Sequence, residues 1–170
     1  IPDSSFARVV QKYSSPTAGC SIEVPSGWRI GKDLPRLFIA FPPPGEEGDI
    51  VYERIELAVE DATGDDFHAD YRDHLEKLDN SLKDFSLIRQ DSLELGGRTV
   101  RRLDYSFRDS FFTLVVLARA RQWMIYRKGR IYLITATATI GSFEKYLPTF
   151  QAIAESFSLR EETAGDTRPE

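Results

Sequence analysis

The residues best suited to chemistry in this sequence lie on one predicted helix. Asp70 and His74 are four positions apart, which places them on the same helix face, and Asp66 precedes them by one turn. A carboxylate and an imidazole so placed could supply two metal ligands. The alternative is an acid–histidine pair on a solvated helix, or a His74 packed at the edge of the apolar stripe. Two ligands do not close a metal site, so no cofactor is predicted.

Nucleophilic catalysis requires a nucleophile, a base and a group that orients the base. The sequence contains no GxSxG or HExxH motif, and its two histidines, His68 and His74, lie on the same predicted helix. The pair Gly96-Gly97 precedes a strand rather than a helix, which is not the setting of a phosphate-binding loop. We therefore predict that the protein is not an enzyme. The alternative is a metal- or small-ligand-dependent enzyme that uses the Asp70/His74 helix.

A row of arginines supplies the candidate binding residues. Arg119, Arg121 and Trp123 alternate along one predicted strand and so share one face. Stacked Arg and Trp side chains can bind an anionic or aromatic partner. Such a row is more often a solvated strand face that discourages aggregation. Arg101 falls instead on the predicted buried face beside Leu103, where it requires an acidic partner if it stays inside.

Trp28 and the three prolines at 42–44 suggest a second kind of site, a groove that binds a peptide. The simpler interpretation is that Trp28 packs in the core after the turn at 25–27. Exposed aromatic side chains near the prolines would favour the groove. The sequence leaves both interpretations open.

Strands and two helices must position these residues. Alternating or apolar segments predict β-strands at 20–24, 28–30, 37–41, 50–59, 87–95, 99–108, 131–140 and from 111 up to a turn at 127–130. An apolar stripe over about four turns predicts one helix, capped by Asp65 or Asp66 and reaching Leu82. A second helix is predicted from an N-cap at Ser142 through Phe157, with Pro148 expected to kink it or delay its regular start.

The segments 111–117 and 131–138 are apolar or small on both faces. Antiparallel strands need this only when the sheet is covered on both sides. The two predicted helices are available as covers. We therefore predict an α+β fold, a three-layer α/β/α sandwich with a central, mostly antiparallel meandering sheet.

Length and composition agree with one domain. The chain has 170 residues, of which 41% are hydrophobic, and a net charge of −5, which argues against nucleic acid as a partner. No apolar run approaches the roughly 18 residues of a membrane-spanning helix, and the single cysteine, Cys20, fits a small buried residue. We divide the chain into a lead-in segment at 1–19, one domain at 20–160 and a disordered tail at 161–170.

Three short patterns resemble the PsbP/Mog-type fold. SIEVPSGWRI at 21–30 is similar to its opening, and LELGGRTVRRLDYSF at 93–107 is similar to the hairpin of its bacterial members. RKGRIYLITATA at 127–138, followed by SFEKYLPTFQAIAESFSL at 142–159, resembles its ending. The resemblance covers about 20–160. The order and spacing of the patterns are more specific than any one of them.

The resemblance implies a central antiparallel sheet between helices and a function without catalysis. Members act as extrinsic photosystem II subunits, as Ran-binding proteins, or as bacterial exported proteins and lipoproteins. This sequence lacks the long loops and lysine-rich arm of the photosynthetic branch, so a photosystem role is not expected.

The expectation is thus a bacterial, extracytoplasmic binding or accessory domain. It would be periplasmic, secreted or lipid-anchored, and would contact another protein or an envelope component. Because the sequence starts at Ile1, a leader or lipid anchor could precede it. A structural homodimer paired through a sheet edge is a further alternative, so monomer and homodimer both stay open.

Overall fold

The computed structural model describes residues 9–32, 36–63, 66–127 and 129–160. Asp65, Lys128 and the predicted tail at 161–170 lie outside the described residues. In chain order the elements are β1 Val10–Ser15, β2 Cys20–Pro25, β3 Arg29–Gly31, β4 Phe38–Phe41, β5 Arg54–Asp61, α1 Phe67–Ser81, β6 Lys83–Leu95, β7 Arg98–Phe111, β8 Leu114–Arg127, β9 Arg130–Thr139, α2 Phe143–Glu155 and β10 Ser158–Leu159.

Seven strands form the central sheet, in the order β3-β4-β5-β9-β8-β7-β6. Every described pairing in it is antiparallel. Strands β6 to β9 follow one another as hairpins, whereas β5 pairs with β9, far along the chain. The connection through α1 therefore carries the chain from the middle of the sheet to its β6 edge.

The two faces of the sheet bury different helices because side chains alternate along each strand. On β8, Trp123 and Ile125 join the core cluster that contains Phe143 and Phe150 of α2. Met124, between them, joins the opposite cluster with Tyr71 of α1 and Leu103 of β7. Helix α2 covers one face and α1 the other, which confirms the predicted three-layer α+β arrangement.

Both helices begin close to the predicted positions. The Asp66 carboxylate accepts a hydrogen bond from the His68 amide at 2.9 Å and so caps α1. Ser142 precedes α2 without a side-chain capping bond, because its hydroxyl donates to the Glu53 carboxylate instead. Helix α2 continues through Pro148 to Glu155.

A second, smaller sheet is the main feature that the sequence did not predict. It has three strands in the order β1-β2-β10, and β1 lies within the segment interpreted as a lead-in. The inward residues of β2, Cys20, Ile22 and Val24, are buried in the same cluster as α2. The smaller sheet and α2 therefore share one face of the central sheet.

No helix in the described ranges has the length and apolarity to cross a membrane.

Candidate binding surface

Two of the three predicted binding residues lie in the interior. The antiparallel register places Arg121 of β8 opposite Asp104 of β7. The Arg121 guanidinium donates to both oxygens of Asp104, each at 2.7 Å, and the two residues are only 6% and 1% exposed. Trp123 is 1% exposed, in the core cluster shared with α2. Neither Arg121 nor Trp123 can meet a partner at the surface.

Burial and ion pairing act in opposite directions on Asp104. Burial alone would raise the pKa of Asp104, but the hydrogen bonds and charges of Arg121 and Arg119 outweigh it, so the pKa lies below its ordinary value. The carboxylate is therefore ionised at neutral pH and neutralises the buried guanidinium.

Arg119 is the one member of the predicted row that reaches the surface. Its guanidinium lies 3.4 Å from Asp104, 2.9 Å from the Glu144 carboxylate and 4.4 Å from the centre of the Phe143 ring. Its side chain is 26% exposed. Arg119 therefore joins the start of α2 to the sheet and remains accessible to a partner on its outer side.

Asp70 and His74 share a helix face as predicted, but each bonds to a different group. One oxygen of the Asp70 carboxylate accepts hydrogen bonds from the amide and the hydroxyl of Thr63, which hold the pKa of Asp70 below its ordinary value. His74 Nε2 lies 2.6 Å from Gln122 Oε1, and Gln122 Nε2 donates to Thr135 Oγ1 at 2.8 Å. Gln122 Oε1 is thus the acceptor and His74 the donor.

This geometry does not favour a metal on the α1 helix. His74 Nε2 is already bonded to Gln122, and the burial that lowers the pKa of His74 keeps the ring neutral in that hydrogen bond. Among the described residues, no group of three or more His, Cys, Asp or Glu side chains could hold a metal ion.

The proline-rich loop borders a cleft of about 490 Å³ at one end of the central sheet. Its walls include the prolines at 42–44, Phe41, Ile50 and Phe112. Trp28 lies elsewhere, packed edge-on against Phe150 at 6.1 Å between ring centres. The core interpretation of Trp28 is thus the one the packing supports, while the exposed aromatic expected of a groove is supplied by Phe112.

Phe112 is an unusual residue for its position. It is 77% exposed and has a φ of 54° in the two-residue turn between β7 and β8. The favoured two-residue hairpin turns need a positive φ at this point, which normally selects glycine. A phenylalanine here is strained by about 1–3 kcal/mol and gains little from burial. Its ring packs edge-on against Phe111, 4.9 Å between ring centres, which offsets the strain only in part.

More apolar side chains surround the same turn. We call these exposed residues the hairpin-tip surface: Ile50, Phe112, Leu114, Val115, Leu117 and Ile140. The sequence predicted that 111–117 is covered on both faces, and this is wrong for Leu114, Val115 and Leu117, which are 56–69% exposed. For Val115 and Leu117, which face the α2 side, the reason is that α2 begins only at Phe143, near Arg119, and does not extend along β8 as far as the tip. Leu114 points to the opposite face.

The cleft has an acidic rim on the side of the proline-rich loop. Asp49 lines the cleft and accepts a hydrogen bond from the Glu46 amide at 2.9 Å, and Glu46 and Glu47 are exposed in the same loop. Arg29 is the basic residue of the wall, with its guanidinium 5.1 Å from the centre of the Phe41 ring. The cleft thus joins apolar walls to a surface of net negative charge.

No protein-family model matches the sequence, and no curated protein matches it. Solved structures do match. Cyanobacterial PsbP (CyanoP) from Synechocystis sp. PCC 6803 has a TM-score of 0.60 and 16% identity, over 94% of this chain and 96% of that chain.

LpqN of Mycobacterium tuberculosis, described as involved in cell envelope biogenesis, has a TM-score of 0.60 and 17% identity, over 90% of this chain and 92% of its own. The Ran-binding protein Mog1p of Saccharomyces cerevisiae has a TM-score of 0.59 and 11% identity, over 90% of this chain and 96% of its own. At these identities the likeness establishes the fold alone. The chain has the PsbP/Mog-type fold, as its sequence patterns predicted.

Proposed function

We propose that this protein is a non-catalytic binding domain that holds a segment of another protein at the hairpin-tip surface. The observation that carries the proposal is Phe112, an exposed aromatic residue kept at a strained turn position beside a cleft. Strain of this kind is typical of functional positions. Exposed apolar side chains that cluster at one place are likewise typical of interaction sites.

The chemistry of the surface selects the partner. Apolar side chains of the partner would enter the cleft beside Phe112 and Ile50, and basic side chains would face Glu46 and Glu47. An anionic membrane surface is disfavoured because the acidic rim would be repelled. The partner is therefore a protein segment that combines apolar residues with Lys or Arg.

Arg119 borders this surface. It follows Val115 and Leu117 on the same face of β8, since all three have the same parity along the strand. It is the member of the predicted arginine row that we retain as a candidate contact, at the edge of the apolar area.

We place this function outside the cytoplasm, as the sequence resemblance implied. The likeness to LpqN, described as involved in cell envelope biogenesis, supports the placement. Fractionation of the native cells checks it: the protein is expected with the envelope or medium, and recovery with the cytoplasmic fraction would contradict export.

The binding proposal is tested with two short peptides of alternating Leu and Lys, or Leu and Glu, titrated into the purified protein. We expect the Lys peptide to bind and the Phe112→Ser variant to weaken it at least about tenfold, as for an aromatic residue central to an interface. The control Ile88→Ser removes an equally apolar residue, 51% exposed on β6, and should leave affinity unchanged. Equal losses in both variants would contradict the site.

Charge reversal tests the chemistry of the partner. Glu46→Lys with Glu47→Lys should weaken the Lys peptide and favour the Glu peptide, whereas Glu76→Lys on the exposed face of α1 should change neither. Two further outcomes would overturn the assignment of a protein partner. One is tight binding to anionic vesicles that Phe112→Ser abolishes. The other is self-association in sedimentation that Phe112→Ser abolishes, which would make a second copy the occupant.

A further inference from the structure

A second, polar cavity lies on the smaller sheet, away from the hairpin-tip surface. Three serines stand side by side across its strands: Ser14 of β1 is paired with Ser21 of β2, and Ser21 with Ser158 of β10. Neighbouring strands are about 4.8 Å apart, so the hydroxyls form a short row. They face away from the core because the adjacent Cys20 and Leu159 are buried.

Two cations flank the row of serines. Lys12 lies two residues before Ser14 and Arg160 two residues after Ser158, so alternation directs both side chains to the serine face. All five residues line one cavity of about 330 Å³, and none of its lining residues is acidic. Glu23 shares the serine face and is paired with Lys12 across the strands, but it is not one of the residues that line the cavity.

The walls of the cavity are fixed by backbone hydrogen bonds. The Gly19 amide donates to Ser15 O at 2.9 Å, and the Arg160 amide donates to Gly19 O at 2.8 Å. The Arg127 guanidinium donates to Arg160 O at 2.9 Å, which brings a third cation close. The backbone around the cavity is therefore held by the fold, whereas the side chains of Lys12, Ser14, Ser158 and Arg160 are exposed.

Five of the polar side chains that line the cavity have no partner among the described residues, whereas a sixth, Ser15, accepts a hydrogen bond from the Ala18 amide at 3.2 Å. Neither an ion pair nor a side-chain hydrogen bond within the described ranges engages Lys12, Arg160 or the three serine hydroxyls. We propose that this cavity binds a phosphate group. Three hydroxyls and two cations suit the three oxygens and the charge of about −2 of a phosphate monoester. The source of the phosphate is a soluble ion or ester, or a lipid headgroup.

Titration of the ¹⁵N-labelled protein with inorganic phosphate tests the proposal, with chloride at matched ionic strength as reference. The amides of Ser14, Ser21, Ser158 and Arg160 are expected to shift together and saturate. The double variant Lys12→Gln/Arg160→Gln should bind at least about tenfold more weakly, since two charge-assisted hydrogen bonds are lost. The control Lys83→Gln/Arg89→Gln removes the same residue types from β6 and should bind as before.

Equal shifts with chloride would overturn the proposal, as would undiminished affinity in the Lys12/Arg160 variant. Unchanged amide shifts elsewhere in that variant show that it is folded. Vesicles with phosphatidic acid identify the source of the phosphate. If the protein binds the vesicles and Lys12→Gln/Arg160→Gln abolishes this binding, the ligand is a lipid headgroup. If the protein binds only free phosphate, the ligand is soluble. Phe112→Ser should leave phosphate binding intact, so failure of either site is distinguishable from failure of the other.

Discussion

Arg121 and Asp104 make the most consequential pair of side chains in the interior. A buried ion pair adds little net stability over an apolar pair, but removal of one partner leaves the other charge uncompensated. Arg119 also approaches Asp104, so this carboxylate faces two guanidinium groups. The local fold of β7 and β8 against α2 therefore depends on one acidic side chain.

We expect Asp104→Asn to lower the free energy of unfolding by about 3–5 kcal/mol, the cost of an unpaired buried charge. Urea denaturation measures the loss. Asp84→Asn is the matched control, since Asp84 pairs with Arg108 at 3.0 Å with both side chains about half exposed. That pair should contribute less than about 1 kcal/mol. Similar losses for the two variants would show that Arg121 is compensated in some other way.

His74 should make stability depend on pH. In the unfolded chain it takes up a proton near its ordinary pKa of 6.5, whereas burial lowers the pKa in the folded protein. The unfolded state therefore binds more protons between these two values, and stability falls as pH drops below 6.5. The structure thus predicts acid destabilisation in a range where carboxylates contribute little.

The variant His74→Gln should flatten the pH dependence of unfolding below pH 6.5 and reduce stability at neutral pH, because Gln122 then loses a well-placed partner. Chemical denaturation at a series of pH values measures both. His68→Gln is the control, since His68 is exposed on the same helix. An unchanged slope in His74→Gln would contradict the assignment of this titration to His74.

At the scale of elements, a substitution in the β7–β8 hairpin should affect the proposed peptide binding and the stability of the fold differently. Phe112→Gly removes an exposed aromatic ring and a strained positive φ together. Relief of the strain is opposed by the entropy of glycine in the unfolded chain, about 0.5–1 kcal/mol. The expected result is stability that is unchanged or raised by up to about 1 kcal/mol, with peptide binding lost. Thermal unfolding and the peptide titration measure the two effects, and a clear destabilisation would mean that the ring supports the fold.

The elements that the sequence predicted are those with strong local patterns. The stripe of α1, the Gly96-Gly97 turn and the apolar strand β9 each carry their signal within a few residues. Strand β1 carries almost none: the large apolar residue on its inward side is Tyr13, whose burial depends on Phe38, 5.2 Å away between ring centres. That contact joins segments distant in sequence, which no local pattern can show.

The candidate site was predictable only in part for the same reason. The alternation of side chains along β8 correctly places Arg119, Arg121 and Trp123 on one face. It does not show which part of that face α2 covers. Arg101, expected to need an acid, lies half-buried with its guanidinium 4.8 Å from the centre of the Tyr71 ring. The acid partner belongs instead to Arg121. The prolines at 42–44 suggested a groove, yet its aromatic wall, Phe112, lies at the end of a hairpin much later in the chain.

At the scale of the whole molecule, the two proposed sites lie on different sheets. The hairpin-tip surface ends the central sheet, whereas the serine-lined cavity belongs to β1, β2 and β10. A protein segment and a phosphate group could therefore be held at once. The exposed residues of the hairpin-tip surface and the three serines of the cavity lie outside the two core clusters.

The pairing of β5 with β9, and of β2 with β10, has a consequence for the order of folding. Each sheet lacks a strand until the last part of the chain is present, so neither is complete before residues 130–159 leave the ribosome. Non-local pairing of this kind slows folding and prolongs the exposure of apolar strands. Under the proposed export, the same delay would favour a chain that is still unfolded when it reaches the membrane.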